Sequence, residues 1–326
     1  MNIRPRRLRV SENMRCLTRE TRVSTDALIY PLFIKEGAGI KSAIPSLEGQ
    51  LHLSPDRVCE VVEKSVESGV KCFLLFGLPA RKDETGSAAW DRGGGVQEAL
   101  RRMRGQFGRE ITLIADVCLC EYTSHGHCGV LNGETVDNDK TLPLLAKIAV
   151  SYADAGADIV APSDMMDGRV RVIREALDVR GLTDVAILSY AVKYASSFYG
   201  PFREAAGSAP SFGDRKAYQM DYHNKREALK EAMLDTIEGA DMLIVKPALA
   251  YADVIAALRE ASKLPLAAYS VSGEYAMIKS AAKAGLINEY GVMCESALSA
   301  FRAGADMLIS YYANELAAAI QKGDIG

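Results

Sequence analysis

Eight short apolar runs that alternate with longer amphipathic ones, and one helix-to-strand motif used three times, predict a (β/α)8 barrel. The apolar runs are Leu28–Ile34, Cys72–Leu78, Ile111–Leu119, Asp158–Pro162, Val185–Val192, Met242–Val245, Leu266–Val271 and Met307–Tyr311. Between most of them lie helical stretches such as Asp56–Ser68, Leu142–Ala155, Lys225–Glu238, Tyr251–Ala261 and Tyr275–Ala284. The repeated motif reads Ala155-Gly-Ala-Asp-Ile-Val-Ala161, Glu238-Gly-Ala-Asp-Met-Leu-Ile244 and Ala303-Gly-Ala-Asp-Met-Leu-Ile309. Each copy joins a helix end to a Gly suited to a left-handed cap, then a small residue, an Asp and an apolar strand. Eight strands in a chain of 326 residues suit a closed barrel, and no Gly-x-Gly-x-x-Gly follows a strand to favour a doubly wound sheet. No linker or composition shift divides the chain. Residues 26–326 therefore read as one barrel and residues 1–25 as an N-terminal arm, packed on the barrel or on a neighbour.

With 48% hydrophobic and 25% charged residues, the composition is that of a soluble globular protein. A formal charge of -3 argues against nucleic acid as a partner. The basic start Arg4-Pro-Arg-Arg-Leu-Arg9 lacks the apolar run of a signal peptide. No segment approaches the ~18 consecutive apolar residues of a membrane span, so no membrane partner is expected. The cysteines number seven, and Cys16, Cys59, Cys72 and Cys294 follow no regular spacing. A disulfide framework is not expected, and a reducing, cytoplasmic compartment is.

A barrel carries its active site at the C-terminal ends of the strands. In chain order those ends offer Asp116, Cys118 and Cys120, then Ser163 and Asp164, then Lys193, Lys246, Ser272-Gly273 and Tyr311-Tyr312.

The segment Asp116-Val-Cys-Leu-Cys-Glu-Tyr-Thr-Ser-His-Gly-His-Cys128 spaces three thiols as C-x-C-x7-C. Strand alternation puts Cys118 and Cys120 on one side, and the polar Gly-His-Cys-Gly return is unlike a core cysteine. Three thiolates without a fourth point to zinc with an open position, since closed structural sites use four protein ligands. His125 and His127 are either further donors or groups that orient the ligands.

Lys193 and Lys246 each end an apolar strand. A single such lysine would snorkel to solvent. Two on adjacent strands, facing a metal loop, point instead to amines held neutral by burial and by each other, able to form Schiff bases with ketones. Lowering a lysine from ~10.4 to ~7 needs roughly 4–5 kcal/mol of differential interaction. Between these strands, Tyr194–Arg215 is rich in Gly, Pro, Ser and aromatic residues and reads as a lid loop, whose Arg203 and Arg215 could grip a substrate carboxylate.

With those residues in view, the chain resembles the porphobilinogen synthase (delta-aminolevulinic acid dehydratase) family nearly end to end. The motifs are Arg4–Arg9, Asp116–Gly129, Ala161-Pro-Ser-Asp-Met-Met-Asp-Gly-Arg169, Ser189-Tyr-Ala-Val-Lys-Tyr-Ala-Ser-Ser-Phe-Tyr-Gly-Pro-Phe-Arg203, Val245-Lys-Pro247 and Val271-Ser-Gly-Glu274. The resemblance implies condensation of two 5-aminolevulinate molecules into porphobilinogen in tetrapyrrole synthesis. It implies that Lys246 holds the propionate-side substrate and Lys193 the acetate-side one. Cys118, Cys120 and Cys128 match zinc ligands. Arg203 and Arg215, with Gln219 nearby, match the acetate-side carboxylate site, Ser272 and Tyr311 match the propionate-side contacts, and Asp116 and Ser163 line the same site. Glu231 matches an allosteric magnesium ligand near a subunit interface. A homo-octamer whose arms embrace neighbouring barrels is also implied. Met220-Asp-Tyr-His-Asn224 departs from the family, where a Pro-containing turn is commoner, and bears on lid closure.

Overall fold

The computed structural model describes residues 2–326. Its barrel strands are β1 (Leu28–Lys35), β2 (Cys72–Leu78), β3 (Thr112–Val117), β4 (Ile159–Pro162), β5 (Ala186–Lys193), β6 (Met242–Lys246), β7 (Leu266–Ser270) and β8 (Met307–Ser310). Neighbours pair in parallel, and β8 returns to β1 through Leu28↔Leu308 and Ile29↔Ile309, closing the (β/α)8 barrel. Strand ends shift by a residue or two from the apolar runs, because ladder bonding and not hydrophobicity sets them.

The Gly-Ala-Asp repeat explains how the helices re-enter the barrel. Gly156, Gly239 and Gly304 take φ of 108, 106 and 112°. The next N–H then reaches back into the helix: Ala157 to Tyr152 O (3.1 Å), Ala240 to Asp235 O (2.9 Å) and Ala305 to Ala300 O (3.2 Å). Each Asp accepts from a strand-entry N–H on the preceding strand: Leu113 to Asp158 (2.8 Å), Ile187 to Asp241 (2.7 Å) and Leu266 to Asp306 (2.8 Å). Arg104, Arg174 and Arg259 lie against the three glycines, where a Cβ would come within 3.4, 3.4 and 2.6 Å of their stems. This is the N-terminal end of the barrel, where sequence features serve stability.

At the start of the chain, a 3-10 turn at Pro5–Arg9 and a helix at Glu12–Leu17 bury no side chain. Ile3, Val10 and Leu17 are 89, 70 and 75% exposed. Arg19 ties the segment to its own barrel, donating to Gly323 O (3.2 Å) and Gly326 O (3.4 Å). Among the described residues, no helix is long and apolar enough to cross a membrane.

Candidate active site and metal centre

The two strand-end lysines are register partners, which plain alternation does not predict. The β5–β6 ladder runs Met242↔Leu188 and Leu243↔Ser189, then Val245↔Val192 and Lys246↔Lys193. Between the two halves β6 advances two residues and β5 three, so β5 carries a one-residue bulge. Three residues apart, Tyr190 and Lys193 would face opposite sides of a regular strand. Here both face the barrel axis: the Tyr190 ring centroid lies 5.6 Å from Lys193 Nζ and 5.2 Å from Lys246 Nζ. Ser189 turns outward, its hydroxyl donating to Asp235 on the helix Lys225–Ile237 at 2.6 Å.

The two amines have opposite surroundings. Lys246 Nζ sits in an aromatic box, 4.4 Å from the Tyr269 ring, 5.0 Å from Phe202 and 5.2 Å from Tyr199. Burial first, and the charge of Lys193 second, bring its pKa down to about 7. Lys193 donates to Ser163 O. Burial opposes its charge, yet the cysteine cluster, Cys128 foremost, together with Asp116 raises it above the ordinary lysine value. Asp116 is pushed up to about 7, by burial and then by Glu121, against the pull of both lysines. Ser163 Oγ donates to its Oδ2 at 2.9 Å, while Oδ1 has no partner. One amine is poised to be neutral, while the other keeps its proton until a base removes it.

Strand β3 stops at Val117, so Cys118 and Cys120 lie in the turn beyond it and not on the strand as alternation predicts. That turn closes through Tyr122 N and Thr123 N, each donating to Leu119 O at 2.8 Å. It still brings the sulfurs together, with Cys118 Sγ 3.3 Å from Cys120 Sγ. The ligand atoms of Cys118, Cys120 and Cys128, all buried, lie within 4.8 Å of one another. Zinc–sulfur bonds of ~2.3 Å in tetrahedral geometry separate sulfurs by ~3.8 Å, so the donor set fits zinc. Hydrogen bonds from Cys118 and Cys120 hold the Cys128 thiol well below its ordinary range, while burial pushes Cys118 up.

The histidines are engaged elsewhere. His125 Nε2 meets Glu84 O (3.2 Å), and its Nδ1 accepts from His127 N (3.1 Å). His127 pairs with the Tyr218 hydroxyl (3.1 Å) and Phe212 O (3.1 Å). The His127 ring fastens the cysteine loop to the lid and the His125 ring fastens it to Glu84, and both stand outside the cysteine cluster.

Over the site lies the segment 196–220, holding a 3-10 turn at Ser197–Tyr199 and a helix at Gly200–Ala205, more structured than the loop expected. Arg215 donates to Gly126 O (2.9 Å) and Ser208 O, and Ser211 N to His125 O (2.9 Å). At the far end Met220 N donates to Lys193 O (3.1 Å) and Ala195 N to Met220 O (2.8 Å), so the departing Met220–Asn224 segment is zippered to the end of β5. The enclosed cavity is lined by Cys120, Ser163, Lys193, Lys246, Arg203 and Arg215, with Phe76, Glu121, Tyr199 and Phe202. Only about 10 Å³ of it is open to a water molecule, less than a substrate needs. Arg203 and Arg215 line it, and the Nε atom of each is buried without a partner. Unpaired buried donors are costly, and an anionic ligand satisfies them.

Other expected residues stand back from the cavity. Ser272 Oγ accepts from Phe202 N (3.0 Å) and donates to Phe198 O (3.3 Å); the Tyr311 hydroxyl lies 3.3 Å from that of Tyr269. Both touch the walls of the Lys246 box. Gln219, with both amide atoms buried and unpaired, lines a neighbouring groove with Asn138, Asp167, Asp221, Glu227 and Glu231. Glu231 is half-buried there, and burial raises its carboxyl. Sequence reasoning missed Tyr190, Tyr199, Phe202 and Glu121. The first three are aromatic residues flanking Lys193, a signal that was present; Glu121 (Oε2 3.3 Å from Cys120 Sγ) was hidden inside the cysteine motif.

A family model described as delta-aminolevulinic acid dehydratase matches residues 2–319. The delta-aminolevulinic acid dehydratase of Halalkalibacterium halodurans is 52% identical over 314 residues, spanning 96% of this chain and 95% of that protein. The one from Archaeoglobus fulgidus is 50% identical over 319 residues, spanning 98% of each. Among solved structures, delta-aminolevulinic acid dehydratase (porphobilinogen synthase) of Toxoplasma gondii, in complex with its reaction product porphobilinogen, superposes with a TM-score of 0.94 at 46% identity. That match covers 98% of this chain and 91% of the other.

Proposed function

The chain belongs to the delta-aminolevulinic acid dehydratase family, and on that premise we propose how its own residues carry the reaction. It condenses two molecules of 5-aminolevulinate into porphobilinogen, with loss of two waters, in heme biosynthesis. The observation that carries the mechanism is the register pair Lys193↔Lys246 beside the three-sulfur cluster.

Lys246 is the first nucleophile. With its pKa near 7 it offers a neutral amine to the ketone of the first substrate, loses water and forms a Schiff base. Lys193 tethers the second substrate in the same way. Its ammonium must first give up a proton, and Asp116, which feels the Lys193 charge, is poised near 7 and is held by Ser163, is the acceptor we assign. Tethering both substrates on adjacent strands replaces a bimolecular encounter by an intramolecular one. Arg203 and Arg215 pair with the acetate-side carboxylate, with Gln219 supporting from the adjoining groove. Ser272 and Tyr311 serve the propionate side once the lid has opened and reclosed around substrate. Cys118, Cys120 and Cys128 would hold zinc, which would supply positive charge for the second substrate and lower the pKa of a bound water.

Away from the site, Glu231 would serve as a ligand of an allosteric magnesium ion. The arm, residues 1–25, covers its exposed apolar side chains on neighbouring barrels (residues 26–326) in a homo-octamer. The seven free cysteines suit a cytoplasmic setting.

The test is to incubate the zinc-loaded protein with 5-aminolevulinate and borohydride and to map the adduct. Porphobilinogen should form without the reductant, and Lys246 should be modified with it. An active preparation whose Lys246 stays unmodified would overturn the mechanism.

A further inference from the structure

We propose that Arg169, paired with Asp235, is a positioning residue that holds the β5 bulge and thereby keeps Lys193 abreast of Lys246. The proposal rests on the reading that both lysines bind substrate.

Arg169 opens the helix Arg169–Val179 after β4 and is 2% exposed. Its two terminal nitrogens bond both oxygens of Asp235, at 3.1 and 2.9 Å. Nη1 also donates to Met166 O (3.2 Å). Nη2 reaches β5 itself, donating to Ser189 Oγ (3.2 Å) and to Tyr190 O (3.4 Å). Ser189 closes the ring by donating to Asp235 at 2.6 Å. On its other side, Arg169 Nε lies 3.9 Å from Asp164 Oδ2.

These contacts fall where the ladder changes register. The β4–β5 ladder ends at Val160↔Ile187, and the β5–β6 ladder slips just beyond Ser189. A bulge leaves backbone groups without strand partners, and a buried carbonyl needs another donor. The Arg169 guanidinium supplies one to Tyr190 O, while Asp235 keeps Ser189 turned outward.

Without the bulge the pairing would continue from Leu243↔Ser189 to Lys246↔Val192. Lys193 would then move one residue along, ~3.3 Å, and share the outward face of Ser189. The site would keep its cysteines, its arginines and Lys246 but lose its second amine. Arg169 touches no residue that lines the cavity through a side chain of its own chemistry; it acts through β5. A merely structural ion pair would instead weaken the whole barrel mouth, affecting both lysines alike.

The experiment compares the zinc-loaded parent with Arg169→Met, Arg169→Lys and Asp235→Asn. Each is treated with 5-aminolevulinate and borohydride, and peptide mass spectrometry quantifies adducts at Lys193 and Lys246 separately. The parent should label at both. In Arg169→Met and Asp235→Asn the Lys193 adduct should fall on the order of tenfold or more relative to the Lys246 adduct, with kcat falling alongside. Arg169→Lys should restore part of the ratio, because its charge still meets Asp235. An unchanged ratio in any folded variant, or equal loss at both lysines, overturns the proposal. Should Arg169→Met fail to fold, the near-isosteric Asp235→Asn and the milder Ser189→Ala decide by the same ratio. A parent that never labels at Lys193 overturns the two-lysine mechanism itself, and the proposal falls with it.

Discussion

Replacing Lys193 with methionine should raise the pKa of Lys246, and the structure sets the size of the effect. Lys246 is brought down to about 7 by burial first and by Lys193 second. A fall from ~10.4 to about 7 corresponds to ~4–5 kcal/mol and makes roughly half the amine neutral at pH 7, against fewer than about one in a thousand unperturbed. The two lysines sit side by side on strands ~4.8 Å apart. At an effective dielectric of ~20 and a charge separation of ~5–8 Å, the Lys193 ammonium contributes ~2–3 kcal/mol, or roughly one and a half to two and a half pKa units. The sign follows from chemistry: only the neutral amine attacks, so adduct formation at Lys246 rises as pH rises through its pKa and levels above it. The assay is the initial rate of borohydride trapping of 5-aminolevulinate at Lys246, read by mass across pH 5–10. The parent should reach half its plateau near pH 7. Lys193→Met should reach it roughly one and a half to two and a half units higher and, at pH 7, trap roughly fifteen times more slowly or worse. A parent midpoint above about 9, or a variant midpoint no higher than the parent's, would refute the account of how this amine is activated.

Cys128→Ser should lower zinc affinity at least about a hundredfold, because even partners of metal ligands are worth tens-fold; equilibrium dialysis against a zinc buffer measures it. Arg203→Ala and Arg215→Ala should each lower kcat/KM by roughly tenfold to a hundredfold, the value of a charge-assisted hydrogen bond of ~1.5–3 kcal/mol. Unchanged steady-state kinetics would remove either arginine from the carboxylate site. Magnesium should raise the melting temperature of the parent but not of Glu231→Ala, as read by scanning fluorimetry. At Gly273, an added Cβ would come within 2.5 Å of Phe198 O and 2.8 Å of its Cα. Gly273→Ala should therefore disturb the lid root at a cost of ~1–3 kcal/mol, seen as faster proteolytic nicking within 196–220. Equal nicking in parent and variant would mean that the lid root yields without loss.

Much of this protein was legible as sequence because the deciding signals are local. A Gly followed by Ala-Asp announces a left-handed cap and a strand entry wherever it stands, so three copies were enough to suggest one barrel. Cys118 and Cys120 are two residues apart, and almost any tight turn brings such neighbours together; losing the strand under them did not separate their sulfurs. Lys193 and Lys246 were recognisable because each is a charge at the end of an apolar run. What the sequence could not decide depends on groups far apart along the chain. The bulge in β5 is one residue of slippage against β6, held from a third element by Arg169 and Asp235, and it reverses which side chains of β5 face the axis. The opposite fates of the two amines come from the same kind of distant contact. Lys246 meets aromatic rings drawn from β5, β7 and the lid, whereas Lys193 meets the cysteine loop. His127 of the cysteine motif became a lid fastener because the lid folded back over it. Spacing along the chain determined which reactive groups this protein has and roughly where on the barrel they stand. Register and burial, which are properties of strands and loops meeting in space, decided which of them is neutral, which is charged and which way each one points.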